Sequence, residues 1–243
     1  MFSTIQLENI LFLDIETASI TEDYANLPER LKEHWAKKSK QLQAKEEKPL
    51  PADEFFPQRA AIYSEFGKVV TISCGMLRFK NNVPTFRLKS FFGGDEKSIL
   101  TGFSTMLEGA IQKNRDLVMC AHNGKEFDFP YLGRRYAINR LHIPGPLQVQ
   151  GKKPWEVNFV DTMDLWKFGD YKSFTSLDLL TAVLDIPSPK DDMDGSEVGR
   201  VFWKEKNYEK IKIYCEKDVI ATAQVVLQLS LLPLIKDENI EFA

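Results

Sequence analysis

Residues 10–17 read Ile10-Leu11-Phe12-Leu13-Asp14-Ile15-Glu16-Thr17, a buried strand that ends at an acidic pair. Side chains alternate along a strand, so Leu11, Leu13 and Ile15 share one face and Phe12, Asp14 and Glu16 the other. The first face is core. The second sets two carboxylates at the end of an otherwise apolar strand, which is costly unless cations neutralise them. Taken alone, the pair is equally well explained as a strand end where one acid caps the following turn.

Two later patterns raise the same question. In Tyr214-Cys215-Glu216-Lys217-Asp218, the tyrosine and the aspartate lie i and i+4 on a helix, stacked on one face. Ile211, Ala221 and Val225 fall on that stripe, so it points inward, and an inward aspartate needs a partner such as a divalent metal. By itself the pattern also fits a surface turn beside Glu216 and Lys217. In His122-Asn123-Gly124-Lys125-Glu126-Phe127-Asp128, Asn123 can cap a helix, Glu126 can close a capping box, and Asp128 suits a helix N-terminus. That account leaves unexplained why Phe127 and Phe129 bracket Asp128 in an apolar setting. Together, Asp14, Glu16, Asp128 and Asp218 make one metal site of the kind that holds two divalent cations to cut phosphodiesters.

The rest of the chain alternates strands and helices. Residues 26–48 are charged and helix-forming, with breaks at Pro49, Pro51 and Pro57. They read as an arm attached to the core and not as a second domain. Lys68–Phe79 and Phe86–Phe92 make an antiparallel strand pair across Asn81-Asn82. Asp95–Asn114 has helical spacing, Leu117–Ala121 is a short strand, and a helix runs from about Glu126 to Asn139. Asn158–Leu165 suits a further strand. Phe174–Leu184, about Ser196–Lys204 and Tyr208–Leu232 complete a helical C-terminal part. Strands first and then alternation with helices indicate a mixed α/β layered domain. Asp191-Asp192-Met193-Asp194-Gly195 fails as a calcium loop, because Lys190 and Val201 occupy the first and twelfth ligand positions. It reads instead as a helix cap through Asp194 or Ser196.

Bulk properties narrow the function. The 243 residues are 43% hydrophobic, enough for a full core. With 35 acids against 32 bases the net charge is −3. A protein that coats nucleic acid non-specifically shows a basic excess, so any nucleic acid here is held locally. Cys74, Cys120 and Cys215 lack metal-type spacing and read as reduced core thiols. No run reaches the roughly 18–20 apolar residues of a membrane span, and Ile10–Leu13 is too short for a signal segment. A soluble cytoplasmic protein is the expectation.

On these motifs the chain resembles the DEDD superfamily of 3′–5′ exonucleases. Asp14 and Glu16 match the first motif, Asn123–Asp128 the second, and Tyr214 with Asp218 the third. The tyrosine marks the DEDDy branch; the histidine branch needs His where Ile213 stands. More narrowly, Ala60–Gly67, Asp194-Gly195-Ser196 and Tyr214–Asp218 are similar to predicted stand-alone exonucleases related to the proofreading domain of B-family DNA polymerases. The resemblance implies a ribonuclease H-like three-layer α/β fold, its mixed central sheet antiparallel at one edge and parallel elsewhere. It implies a single domain over 1–243, with a helical insertion at about 19–66. It further implies two Mg²⁺ or Mn²⁺ ions about 3.5–4 Å apart, with Asp14 bridging, Glu16 and Asp218 on the first and Asp128 on the second.

Tyr214 would orient the attacking water, since a tyrosine with the usual pKa of about 10 is a poor base at neutral pH. The substrate would be a single-stranded nucleic acid, DNA favoured over RNA, released as 5′ mononucleotides. Thr17 would contact the terminal nucleotide, Asn123 a phosphate, and Phe127 or Tyr131 the last base. For the two aromatics a core position is the competing expectation. Arg134, Arg135 and Arg140 fit either phosphate contacts or a solvated helix face. A ribonuclease D-like exoribonuclease is the close rival; a non-catalytic binding module on the same fold is the rival from another class.

Overall fold

A computed structural model of the chain describes residues 2–170, 174–187 and 193–243. Lys190, Asp191 and Asp192 of the failed calcium-loop pattern lie outside the described residues. The elements are α1 (Thr4–Leu7), β1 (Ile10–Ser19), α2 (Glu29–Leu42), α3 (Ala52–Arg59), β2 (Gly67–Lys80), β3 (Val83–Phe92), α4 (Glu96–Lys113) and β4 (Val118–Ala121). There follow α5 (Asp128–Ile138), β5 (Phe159–Asp161), α6 (Thr162–Lys167), α7 (Leu177–Val183), α8 (Val198–Arg200), α9 (Tyr208–Leu229) and β6 (Ile240–Phe242).

The six strands form one sheet in the order β5-β4-β1-β2-β3-β6. β1–β2 and β2–β3 are antiparallel, while β1–β4, β4–β5 and β3–β6 are parallel. The β2–β3 turn is the one Asn81-Asn82 predicts: both residues have positive φ, 51° and 63°, as a two-residue hairpin matched to strand twist requires. Alternation along β1 divides the core as expected. Leu11, Leu13 and Ile15 pack with Ile99, Phe103 and Leu107 of α4 and Leu132 of α5. Ile10 and Phe12 pack with Val219, Ala223 and Val226 of α9. The result is a mixed three-layer α/β fold, helices on both faces, as the resemblance implied. The three cysteines are buried free thiols.

Several boundaries differ from the sequence expectation. β1 continues past the acidic pair to Ser19, with a register shift between Glu16 and Thr17, so the carboxylates sit inside a strand and beside a bulge. Residues 162–167 are helix and not strand, because Asp161 caps them through Met163 N–H. The arm is two helices. Pro51 sits at the N-cap of α3, but Pro57 lies within that helix. Packing overrides the expected break: Phe56 is buried with its ring 5.3 Å from Trp35. The expected helix at 196–204 is a 3₁₀ turn (Gly195–Glu197), then α8, then a π turn at Val201–Glu205. That wider turn places the consecutive residues Val201 and Phe202 both in the core.

Candidate metal centre

β1 carries Asp14 opposite Ser73 and Glu16 opposite Thr71 of β2. α9 packs across this face, so its inward residues meet the strand: the Cys215 thiol lies 3.3 Å from Asp14 Oδ2 and 3.4 Å from the Asp14 carbonyl oxygen. One turn further along, Asp218 joins the strand acids. One carboxylate oxygen from each of Asp14, Glu16 and Asp218 falls within 4.8 Å of the others. Two acids just before a bulge and one acid far later in the chain thus converge through sheet and helix packing alone.

The electrostatics follow from that convergence. Burial pushes the Asp14 carboxyl well above the usual range, and the charges of Asp128, Glu16 and Asp218 push it further. Burial does the same for Glu16, with Asp218 and Asp128 adding to it. No Lys, Arg or His pairs with Asp14, Glu16 or Asp128 among the described residues. Hard oxygen donors crowded together in this way are a donor set that suits Mg²⁺ or Mn²⁺. The acidic trio can therefore hold metal ions.

Asp128 stands beside the trio and not within it. It opens α5, is 3% exposed, and accepts the Ile15 N–H at 3.2 Å. Burial raises its pKa to about 7, against the lowering effect of its backbone N–H bonds; Asp161 and Asp218 add to the rise. Tyr214 is half-buried on the same helix stripe as Asp218, packed on the cluster of Val198, Val201 and Phe202. A Cβ added at Gly195 would sit 3.9 Å from its hydroxyl.

The second motif is built differently from a helix cap. Phe127 holds the N-cap position of α5, with no side-chain cap bond. Asn123 is four residues upstream in the left-handed region, φ 60°, which an asparagine tolerates better than most residues. Its carbonyl accepts the N–H groups of Glu126 and Phe127, so the capping box with Glu126 is replaced by a backbone turn. What holds the turn is Asp161, a residue that sequence reasoning passed over. Asp161 is 4% exposed. It accepts from Asn123 N–H at 2.9 Å, Lys125 N–H at 3.1 Å and Met163 N–H at 3.0 Å. His122 adds bonds to Thr162 Oγ1 and to the Thr175 carbonyl, both 2.9 Å. Gly124 is required here, because a Cβ would lie 2.4 Å from that of Ala121.

Other expected contacts separate. Thr17 is half-buried just past the bulge. Phe127 is half-buried, its ring 5.3 Å from Tyr131. Tyr131 itself is core: 2% exposed, its hydroxyl donating to the Ala61 carbonyl at 2.7 Å. Its ring packs against that of Phe127. Arg135 is neither a phosphate contact nor a solvated residue. It is buried, paired to Glu96 at 2.6 Å and bonded to the Ser64 carbonyl at 2.7 Å. Arg134 and Arg140 are exposed.

Comparison with known proteins gives one family match and a structural likeness. Residues 61–237 match a family described as "Predicted 3'-5' exonuclease related to the exonuclease domain of PolB". That span contains the second and third acidic patterns and begins after the first. Among solved structures, the chain is similar to the family B DNA polymerase from the hyperthermophilic archaeon Pyrobaculum calidifontis, with a TM-score of 0.55 and 16% identity. The likeness covers 91% of this chain and 24% of the polymerase, and at that identity it is one of fold. No curated protein matches.

Proposed function

The chain belongs to the family of predicted 3′–5′ exonucleases related to the PolB exonuclease domain, and from that premise we propose that it removes 5′ mononucleotides from the 3′ ends of single-stranded DNA in a reaction that depends on two divalent cations. Membership makes it a hydrolase with a nucleic-acid substrate. The observation that carries the metal-dependent reading is the convergence of Asp14, Glu16 and Asp218 within 4.8 Å. Divalent cations held there would activate water for attack and neutralise charge on the departing 3′ oxygen.

The chain's own residues do the rest. Asp14, Glu16 and Asp218 would hold the cations, with Asp128 beside them as a further ligand. The Tyr214 hydroxyl orients the attacking water from the same face of α9. The Asn123 turn, fixed by Asp161, meets a phosphate, Thr17 meets the terminal nucleotide, and Phe127 supports the last base with Tyr131 behind it. We take the whole chain as one exonuclease domain, residues 19–66 being its insertion. The relationship to the PolB exonuclease domain favours DNA over RNA. No helix of the described residues is long and apolar enough to cross a membrane.

The test is shortening of matched 5′-labelled DNA and RNA oligonucleotides with Mg²⁺, Mn²⁺ or EDTA. DNA should shorten stepwise from its 3′ end with metal, and not in Asp14→Ala or Asp218→Ala. Equal degradation by wild type and both variants refutes the reading; faster loss of RNA replaces the substrate with the ribonuclease D-like one.

A further inference from the structure

Four cations gather on the side of the sheet that the acids do not use. β2 and β3 extend beyond the cover of α4, and their exposed face on that side carries Arg78, Arg87 and Lys89. Arg87 and Lys89 are two apart on one strand, about 7 Å by strand rise. Arg78 lies diagonal to Arg87, because Arg78 pairs with Thr85 and Met76 with Arg87. Lys113 closes the row from the last turn of α4. Together they line a trough of about 810 Å³ whose one acidic side chain is Glu241.

This is unusual for a chain of net charge −3. Like charges at such spacing repel, and nothing in the core needs them there. Arg78 is steadied by the carbonyls of Glu8 and Leu77, at 2.9 and 3.1 Å. Arg87, Lys89 and Lys113 form no ion pair among the described residues. Even with Glu241 level with Arg87 on β6, the cations of the row outnumber its acid four to one, a surplus that matches a polyanion with regularly repeated charge.

We propose that this trough binds the phosphate backbone of single-stranded nucleic acid at a distance from the 3′ end being cleaved. It rests on the exonuclease reading for its ligand class. Leu11, at the floor of the trough, belongs to the α4 face of β1, whereas Asp14 meets α9 on the other face. A strand engaged at both places must pass around the sheet, so only long strands reach the trough. It therefore sets length preference and processivity and leaves the chemical step alone.

The experiment compares R87Q/K89Q/K113Q with the parent. Binding of 5′-fluorescein oligothymidylates of roughly 20 and roughly 4 nucleotides is followed by anisotropy across a salt series, in an Asp14→Ala background without metal. Three lost phosphate contacts should flatten the slope of log K against log salt by about 2 and weaken the longer strand at least about tenfold near 100 mM salt. Affinity for the short strand, and its turnover in the metal-loaded Asp14 protein, should not change. An unchanged slope and affinity for the long strand overturns the proposal. Lost long-strand binding in a parent that never hydrolyses DNA keeps the trough and overturns the exonuclease reading instead.

Discussion

Asp128→Asn in the metal-free protein isolates what a buried carboxylate costs beside this cluster. The folded pKa of Asp128 is raised from 3.8 to about 7. An acid raised in this way contributes its full share of stability below the unfolded pKa, and loses it as pH climbs through the folded one. Above pH 7 the ionised group is therefore a burden. Three units at 1.36 kcal/mol each make that burden about 4 kcal/mol.

Asparagine keeps an oxygen to accept the Ile15 N–H and removes only the charge. Urea unfolding in EDTA should show the variant about 2–4 kcal/mol more stable than the parent at pH 8, with a difference under about 1 kcal/mol near pH 4. The parent should itself lose stability between those values. A variant equally affected at both pH values, or destabilised at pH 8, refutes the argument that Asp128 is held against its charge.

Other consequences follow from the same arrangement. Mn²⁺ at a hundred times its dissociation constant should stabilise the wild type by about 2.7 kcal/mol, seen as a rise in Tm that Asp218→Asn abolishes. Tyr214→Phe should lower kcat about 10- to 100-fold and leave Mn²⁺ affinity, measured calorimetrically, unchanged. Arg135→Met strands Glu96 in the core and should cost about 3–5 kcal/mol in urea unfolding, only part of it recovered by adding Glu96→Met, because the Val69 N–H then loses its acceptor.

The sheet and its acids were legible because strand alternation is a strict code. Phe12, Asp14 and Glu16 had to share a face, and a helical i, i+4 pair had to deliver Tyr214 and Asp218 together. Element ends were less legible. Pro57 ends a helix by propensity, yet the aromatic packing of Phe56 on Trp35 holds that helix through it. Arg135 looked like a surface base because its partner Glu96 is 39 positions away in the chain, and no local pattern reports such a pair.

The turn at Asn123 shows where local patterns mislead. An asparagine followed three residues later by a glutamate satisfies the spacing of a capping box. A cap, however, needs extended backbone at the asparagine, and here φ is 60°. The competing structure wins because it is held from outside: both Asp161 oxygens take N–H groups of the 123–125 segment, satisfying donors that the cap would otherwise have to. Since Asp161 at the same time caps α6, the segment before Asp128 is set by the end of β5 and not by its own sequence. The signal available was an aspartate at a strand end followed by Thr162 and Met163, which reads as the N-cap of a helix. Its second task becomes visible only when β5 is placed next to β4, which puts Asp161 level with Ala121, two residues from the turn it fixes.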